Sequence, residues 1–311
     1  ILADVGIKFH HREVLEIFKK TGLDVNIEAE VVKIPEYLIK EALKTAPAQF
    51  SMYNREMTEE TIWGDSEVKL GAGGSVINIL DSDGRTIREP TTEDLLNMYQ
   101  LTDNLPEISW TAPGSFVTDV PHEISAVWRF YLRLKYGSKP SCADGLNVVD
   151  LIDNCEMLEV IRDNEENFIN KPLAIVQPCP MSPLSWNFES ASYLIESARR
   201  KMPALMISMP FAGVSSPVTM AGAIAQQTAE LLSGLVLMQI IHPGLPTVYA
   251  GASAHADMRD VSNVMGSIEA QMMNAATIQM AHYYQIPSGT GAVFGYSDSK
   301  RNDYQGGADS V

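Results

Sequence analysis

Apolar positions in the first 65 residues recur at helical spacing. Val14, Leu15, Ile17 and Phe18 form one stripe that ends near Thr21-Gly22. Ile34-Pro35-Glu36 opens a second helix, whose first turn tolerates a proline without an N–H. From Glu67 the period shortens. Residues 68–70 read as a strand running into a glycine loop at 71–74, and residues 76–80 and 85–88 read as a hairpin closed by Asp81-Ser82-Asp83-Gly84. Thr91, three residues ahead of Asp94, caps a helix predicted to run to about Asn104.

A longer rhythm follows. Short strand-like runs begin near Val68, Ile108, Ser141, Leu173, Ala204, Thr247 and Ala292, 31 to 45 residues apart, with helical stretches between them. Lys171-Pro172, Met202-Pro203 and Leu245-Pro246 each stand just before a strand, as helix-ending punctuation should. Such spacing fits repeated β-loop-α units and a parallel sheet with right-handed crossovers. A doubly wound sheet could hold seven strands, but these end in Gly- and Pro-rich loops all along the chain. The expected fold is therefore α/β, a (β/α)8 TIM barrel (residues 66–311) behind an N-terminal helical segment (residues 1–65), with the last βα unit beyond Val311.

Composition narrows the partners. Against 23 Lys and Arg stand 39 Asp and Glu, a net charge of −16 that repels phosphate backbones and anionic lipid, so neither nucleic acid nor a membrane surface is expected. The longest apolar stretch, residues 221–241, is interrupted by Gln226, Gln227, Glu230 and Gln239, which hydrocarbon would disfavour; a buried soluble helix is expected there. Cys142, Cys155 and Cys179 are sparse, odd in number and without a CxxC pair, which points to a reducing compartment, the cytoplasm by default. Ile1 is followed at once by Asp4, Lys8, His10 and His11, unlike a secretory leader, and the missing initiator Met suggests a piece of a longer protein.

In a barrel, chemistry sits where strands end. Those loops here are rich in aromatic, small and carboxylate residues, and only Lys300 and Arg259 bring positive charge. That inventory suits a cationic or neutral ligand held by aromatic faces near a carboxylate. Trp186, Phe116, Phe211, Tyr249, Phe294 and Tyr296 are the aromatics at or near these ends, where aromatics also serve simply to pack a barrel mouth. Asp144 and Asp298 are the carboxylates best placed to face a cation, or else helix caps. No metal spacing links the six histidines, and no metal site is expected. His255, two residues before Asp257, reads as a loop histidine or as half of an acid/base pair. Cys142 and Cys179 at strand ends have no basic neighbour in sequence and read as buried structural thiols.

One stretch carries a resemblance. Gly213-Val214-Ser215-Ser216-Pro217-Val218-Thr219-Met220-Ala221-Gly222-Ala223 continues through Gln226 to Glu230 and on to His242-Pro243-Gly244-Leu245-Pro246-Thr247-Val248-Tyr249. With Met181-Ser182-Pro183-Leu184, Asp257-Met258-Arg259 and Ser297-Asp298-Ser299-Lys300, it resembles the trimethylamine methyltransferase (MttB) family along essentially the whole chain. The resemblance implies a (β/α)8 barrel that moves a methyl group from a methylated amine to the cobalt of a corrinoid (cobalamin) carried by a separate, cognate corrinoid protein. Family members run on past the point where this chain stops. Founding members insert pyrrolysine in a late segment that corresponds here to residues 291–300, where this sequence has only standard residues. The resemblance is thus to the non-pyrrolysine branch, which includes enzymes for quaternary amines such as glycine betaine, proline betaine and carnitine.

The chemistry agrees with that branch. A quaternary ammonium leaves as a neutral tertiary amine when cobalt(I) displaces its methyl group, with no proton required. The site need only hold the cation, aim one methyl and exclude water. On this reading Phe116, Phe211, Tyr249, Phe294 and Tyr296 form an aromatic box. Asp144 and Asp298 supply negative charge, and Gln177 and His255 hydrogen-bond a betaine carboxylate. Trimethylamine as substrate, and a non-catalytic sensor of methylated amines, are the alternatives. Whether the barrel works as a homo-oligomer is left open.

Overall fold

The computed structural model describes residues 1–290, apart from residues 75, 144, 260, 265 and 266. By internal contacts it forms two compact units, one of residues 1–48 together with those from 178 onward, the other of residues 49–177. This division runs across the N-terminal segment rather than at residue 65.

The chain opens with β1 (Ile7–Phe9) and α1 (Arg12–Lys20), which buries Val14, Leu15 and Phe18 as its stripe predicts. Then come β2 (Val25–Asn26), β3 (Val31–Val32) and α2 (Glu36–Thr45), with Pro35 at the N-cap. The segment is less helical than its stripes suggest, because β3 pairs antiparallel with both β1 and β2. Strands of two residues are too short to show a period-2 alternation in sequence.

The second unit begins with a hairpin of β4 (Phe50–Tyr53) and β5 (Glu60–Trp63), then β6 (Leu70–Ala72) and the expected hairpin of β7 (Ile79–Leu80) and β8 (Ile87–Arg88). Next are α3 (Thr92–Asp103), β9 (Ile108–Thr111), α4 (His122–Tyr136), β10 (Ser141–Cys142), α5 (Val148–Arg162), α6 (Glu165–Asn170) and β11 (Ala174–Ile175). Thr91 and Asp94 form the expected capping box on α3, and Asn147 with Asp150 repeats it on α5. Strands β6, β9, β10 and β11 pair in parallel in chain order, each return crossing through helix. Arg162, fully buried at the end of α5, donates to the carbonyls of Tyr53, Asn54 and Arg55, each at 3.0 Å. Burial lowers its pKa to about 10, against a smaller opposing contribution from the Glu56 carboxylate.

The first unit resumes with β12 (Ser185–Trp186), parallel to β1, then α7 (Phe188–Arg199), β13 (Ala204–Ser208), β14 (Phe211–Ala212) and α8 (Met220–Ile241). It continues with β15 (Thr247–Gly251), β16 (Ala254–Asp257), β17 (Ser262–Val264), α9 (Ile268–Tyr284) and β18 (Ser288–Thr290). Strands β13, β15 and β18 form a parallel sheet, and β14, β16 and β17 a smaller one. At 22 residues α8 is long and apolar enough to cross a bilayer, yet 78% of its apolar window is buried inside the chain. Its apolar surface meets Trp186, Met206 and Tyr249 in the core of this unit, as expected for a buried soluble helix.

Seven parallel strands thus stand where the rhythm of the sequence puts them. The last starts at Ser288, four residues before the expected Ala292, which lies outside the described residues. They fall into sheets of four and three strands. Among the described residues no pairing closes a barrel, so the fold shown is mixed α/β built from parallel βαβ units.

Candidate functional site

In the first unit the C-terminal ends of β13 and β15 do not stop at a turn. Each runs on into a second short strand, and these extensions pair in parallel, Phe211 with Ala254 and Ala212 with His255. Strand β17 then pairs antiparallel with β16. The ribbon follows the C-terminal ends of the parallel strands and carries small residues: Ala212, Ala252, Ser253, Ala254 and Ala256 are all buried.

Phe211 is half-buried at the start of β14. His255 and Asp257 lie two apart on β16 and so share a face. Asp257 is claimed by Arg259, whose Nε lies 2.9 Å and one terminal nitrogen 2.5 Å from its oxygens, with the Arg259 N–H donating at 2.9 Å. Those bonds, with a smaller contribution from His255, lower the Asp257 pKa to about 2. Asp257 is therefore a standing anion and no proton donor.

Two buried polar hubs on α8 hold this end together. The Glu230 carboxylate accepts from Ser182 Oγ at 2.8 Å, Ser208 Oγ at 2.6 Å, the Leu184 N–H at 2.9 Å and Gln226 Nε2 at 3.0 Å. Gln226 Nε2 also donates to the Ser215 carbonyl at 2.9 Å. Its neighbour Gln227 accepts from the Ser253 hydroxyl and donates from Nε2 to Thr277 Oγ1 at 2.8 Å. Gly251 is required here, because a Cβ on it would lie 2.5 Å from Gln227 Nε2.

Tyr249 is fully buried among core side chains, its phenol sharing a 2.7 Å hydrogen bond with the Thr228 hydroxyl; burial pushes its pKa up. In the second unit, Phe116 is half-buried with the Arg129 guanidinium 4.0 Å above its ring. Gln177 accepts from the Cys142 thiol at 3.3 Å. Cys142 and Cys155 are buried and Cys179 half-buried, and none of the three is in a disulfide. Asp144, Asp298, Phe294 and Tyr296 lie outside the described residues. Of the residues expected at the site, the structure brings Phe211 and His255 together on one ribbon and places Tyr249 in the core beneath. Among the described residues no three His, Cys, Asp or Glu side chains gather as metal ligands.

Sequence reasoning passed over Glu230, Gln226, Gln227, Ser208 and Ser253. It uses Gln226, Gln227 and Glu230 as an argument against a membrane span and within the family resemblance, and Ser208 and Ser253, which lie outside that helix, carry no such signal. It also passed over an exposed apolar rim on the same loops, made of Met209, Val214, Val218, Met258 and Val261. Two of these side chains flank Gly213: Met258 Sδ and Val218 Cγ2 lie 3.1 and 3.8 Å from where a Cβ on it would stand.

Comparison with known proteins places the chain. A trimethylamine methyltransferase MttB of Desulfitobacterium hafniense (strain DSM 10664 / DCB-2) is 28% identical over 308 residues, covering 98% of this chain and 61% of that protein. A proline betaine:corrinoid methyltransferase of Eubacterium limosum is 29% identical, covering 100% of this chain and 64% of that protein. A glycine betaine methyltransferase of Desulfitobacterium hafniense (strain Y51) is 27% identical with the same coverage. The chain therefore spans less than two thirds of the length of these relatives. Among solved structures, the monomethylamine methyltransferase (MtmB) of Methanosarcina barkeri has the same fold, with a TM-score of 0.55 at 14% identity over 94% of this chain and 72% of its own. The sequence pattern of one family matches residues 1–311 throughout. The chain belongs to the trimethylamine methyltransferase (MTTB) family.

Proposed function

We propose that the full-length protein takes a methyl group from a small quaternary amine, a betaine, and delivers it to the corrinoid of a separate carrier protein. The observation that carries this reading is the family match along all 311 residues. It is supported by relatives named for proline betaine and glycine betaine at 29% and 27% identity. The segment at residues 291–300, where the resemblance puts pyrrolysine in founding members, holds only standard residues.

On this reading the acceptor supplies the displacement chemistry, and the chain's residues bind, orient and keep out water. Phe211 offers a ring face to the ammonium group. Asp257, fixed as an anion by Arg259, keeps the ribbon from becoming net positive, and His255 on the same face hydrogen-bonds the substrate carboxylate. Phe116, Gln177, Tyr249, Asp144, Asp298, Phe294 and Tyr296 remain the other proposed site residues. The uncharged rim of Met209, Val214, Val218, Met258 and Val261 is the face offered to the carrier.

The strands belong, in this proposal, to a (β/α)8 barrel spanning residues 66–311 behind the segment 1–65, in a cytoplasmic protein. A second reading, trimethylamine as substrate, has support from the 28% identity to a relative of that name. The test is methyl transfer by the full-length protein to reduced corrinoid, free and carrier-bound, from trimethylamine, glycine betaine, proline betaine and carnitine. Methylated corrinoid from a quaternary amine alone supports the proposal. Turnover of trimethylamine alone supports the second reading, and binding without turnover on any carrier overturns both in favour of a sensor.

A further inference from the structure

Among the described residues of the first unit, one buried carboxylate on α8 gathers bonds from several parts of the chain. Glu230 is 0% exposed and receives four donors from three separate places along the chain. Two of them, the Leu184 N–H and Gln226 Nε2, can only donate, and both converge on Oε1. The other two, the Ser182 and Ser208 hydroxyls, converge on Oε2 and are able either to donate or to accept.

What these donors carry matters. Ser208 is the last residue of β13 and stands three residues before Phe211. Gln226 extends the hub to the Ser215 carbonyl, on the far side of the turn that begins at Phe211. Ser215 Oγ in turn accepts from the Phe211 N–H at 2.9 Å. Leu184 has φ +47°, a left-handed conformation that an L residue with a side chain resists, and its N–H is held by Glu230. One buried carboxylate thus ties the loop before β12, the end of β13 and the turn around Phe211 to one point on α8.

We infer that Glu230 is a positioning residue, which fixes the strand-end loops at residues 182–184 and 208–216 and so sets the place of Phe211. Its catalytic consequence rests on the methyltransferase reading. The geometry separates positioning from charge. In Glu230→Gln, Oε1 still accepts from Leu184 and Gln226. The new amide donates to Ser182 and Ser208 once their hydroxyls turn, so all four ties survive without the charge. Glu230→Ala removes every tie.

The experiment compares wild type, Glu230→Ala, Glu230→Gln and Ser208→Ala in the full-length protein by amide hydrogen exchange and by kcat/KM for methyl transfer. In Glu230→Ala, peptides covering residues 181–186 and 208–216 exchange about tenfold or more faster and kcat/KM falls about 100-fold, the scale of a misplacement near 1 Å. Glu230→Gln stays within about threefold of wild type in both readouts, a rescue that a charge role does not give. Ser208→Ala gives a smaller change in the same peptides, which decides the matter if Glu230→Ala fails to fold. Unchanged exchange at 208–216 in Glu230→Ala overturns the inference. So does a Glu230→Gln protein with restored protection but activity as low as Glu230→Ala. If wild type methylates corrinoid from no amine, the methyltransferase reading fails, while exchange still decides whether Glu230 holds these loops.

Discussion

Replacing Gly251 with alanine perturbs one side chain in a way the structure makes computable. The added methyl would lie 2.5 Å from Gln227 Nε2 and 2.9 Å from both its Cδ and Oε1, so the amide must move. It has nowhere to go without losing its partners, the Thr277 hydroxyl at 2.8 Å and the Ser253 hydroxyl, and both residues are buried. Thr277 keeps its own donation to the Met273 carbonyl, so it loses one incoming bond, about 0.5–1.5 kcal/mol. Ser253 is left as a buried hydroxyl without an acceptor, about 1–3 kcal/mol. Gly251→Ala should therefore destabilise by about 2–4 kcal/mol, and Gln227→Ala, which strands the same hydroxyls, by a similar amount. The double variant is the test. With Gln227 shortened, the methyl at 251 fills the space the amide left, and the clash vanishes. The pair should cost about as much as Gln227→Ala alone, a coupling of about 2–4 kcal/mol against additivity. Urea unfolding of the four proteins at a common m-value reads this directly. A double variant as unstable as the sum of the singles would refute the geometry.

Three further outcomes follow from the same structure. The Asp94 carboxylate, held by Arg88 and by the Thr91 N–H and hydroxyl, has a pKa below the usual carboxylate range. Its contribution is complete above about pH 4 and is lost as pH falls through the folded-state value, so Asp94→Asn should cost about 1 kcal/mol at pH 7, allowing for the part-exposed Arg88, and flatten the acid limb of the stability curve. On the proposed function, Phe211→Ala in the full-length protein should raise KM for the quaternary amine about 2- to 30-fold, the range of a cation–π contact of about 0.5–2 kcal/mol, measured in the methyl-transfer assay. Met258→Asp combined with Val214→Asp should slow transfer to carrier-bound corrinoid while leaving transfer to free corrinoid unchanged; equal loss on both acceptors would remove the rim from the docking face.

Much of this architecture is written locally. Proline at 172, 203 and 246 stands just ahead of a strand, in the connections that follow α6, α7 and α8, and the capping pair Thr91 and Asp94 needs only a three-residue spacing to be seen. Side-chain direction is another matter. Every residue of β15 is buried, so no alternation in the sequence tells whether Tyr249 faces the strand ends or the helices, and the structure packs it into the core beside Thr228. Asp257 was visible beside His255, but only the fold shows Arg259 bending back two residues to fix its charge. Glu230 was the least legible. Apart from Gln226, four residues away, its partners are 22, 46 and 48 residues distant, and no local pattern encodes a bond to Ser208, Leu184 or Ser182.

Even so, the position of the polar residues within α8 carries information that follows from topology. A crossover helix in a parallel βαβ unit runs back against its strands, so its first half lies beside their C-terminal ends and its second half beside the opposite end. Gln226, Gln227 and Glu230 fall in the first half of α8; their bonds go to Ser182, Leu184, Ser208, Ser215 and Ser253, at or beyond strand ends, and in one case to Thr277 within α9. Gln239 falls in the second half, and its bonds go to Thr45, Gly244 and Leu245, in the turn that leads into β15. The same residue type thus divides by position between holding the functional end and holding the structural one. A buried helix costs free energy for each polar group it carries, unless that group is bonded. Where such groups collect in the first half of α8, the bonds that offset that cost are made mainly to strand-end loops, here those at residues 182–184, 208–216 and 253.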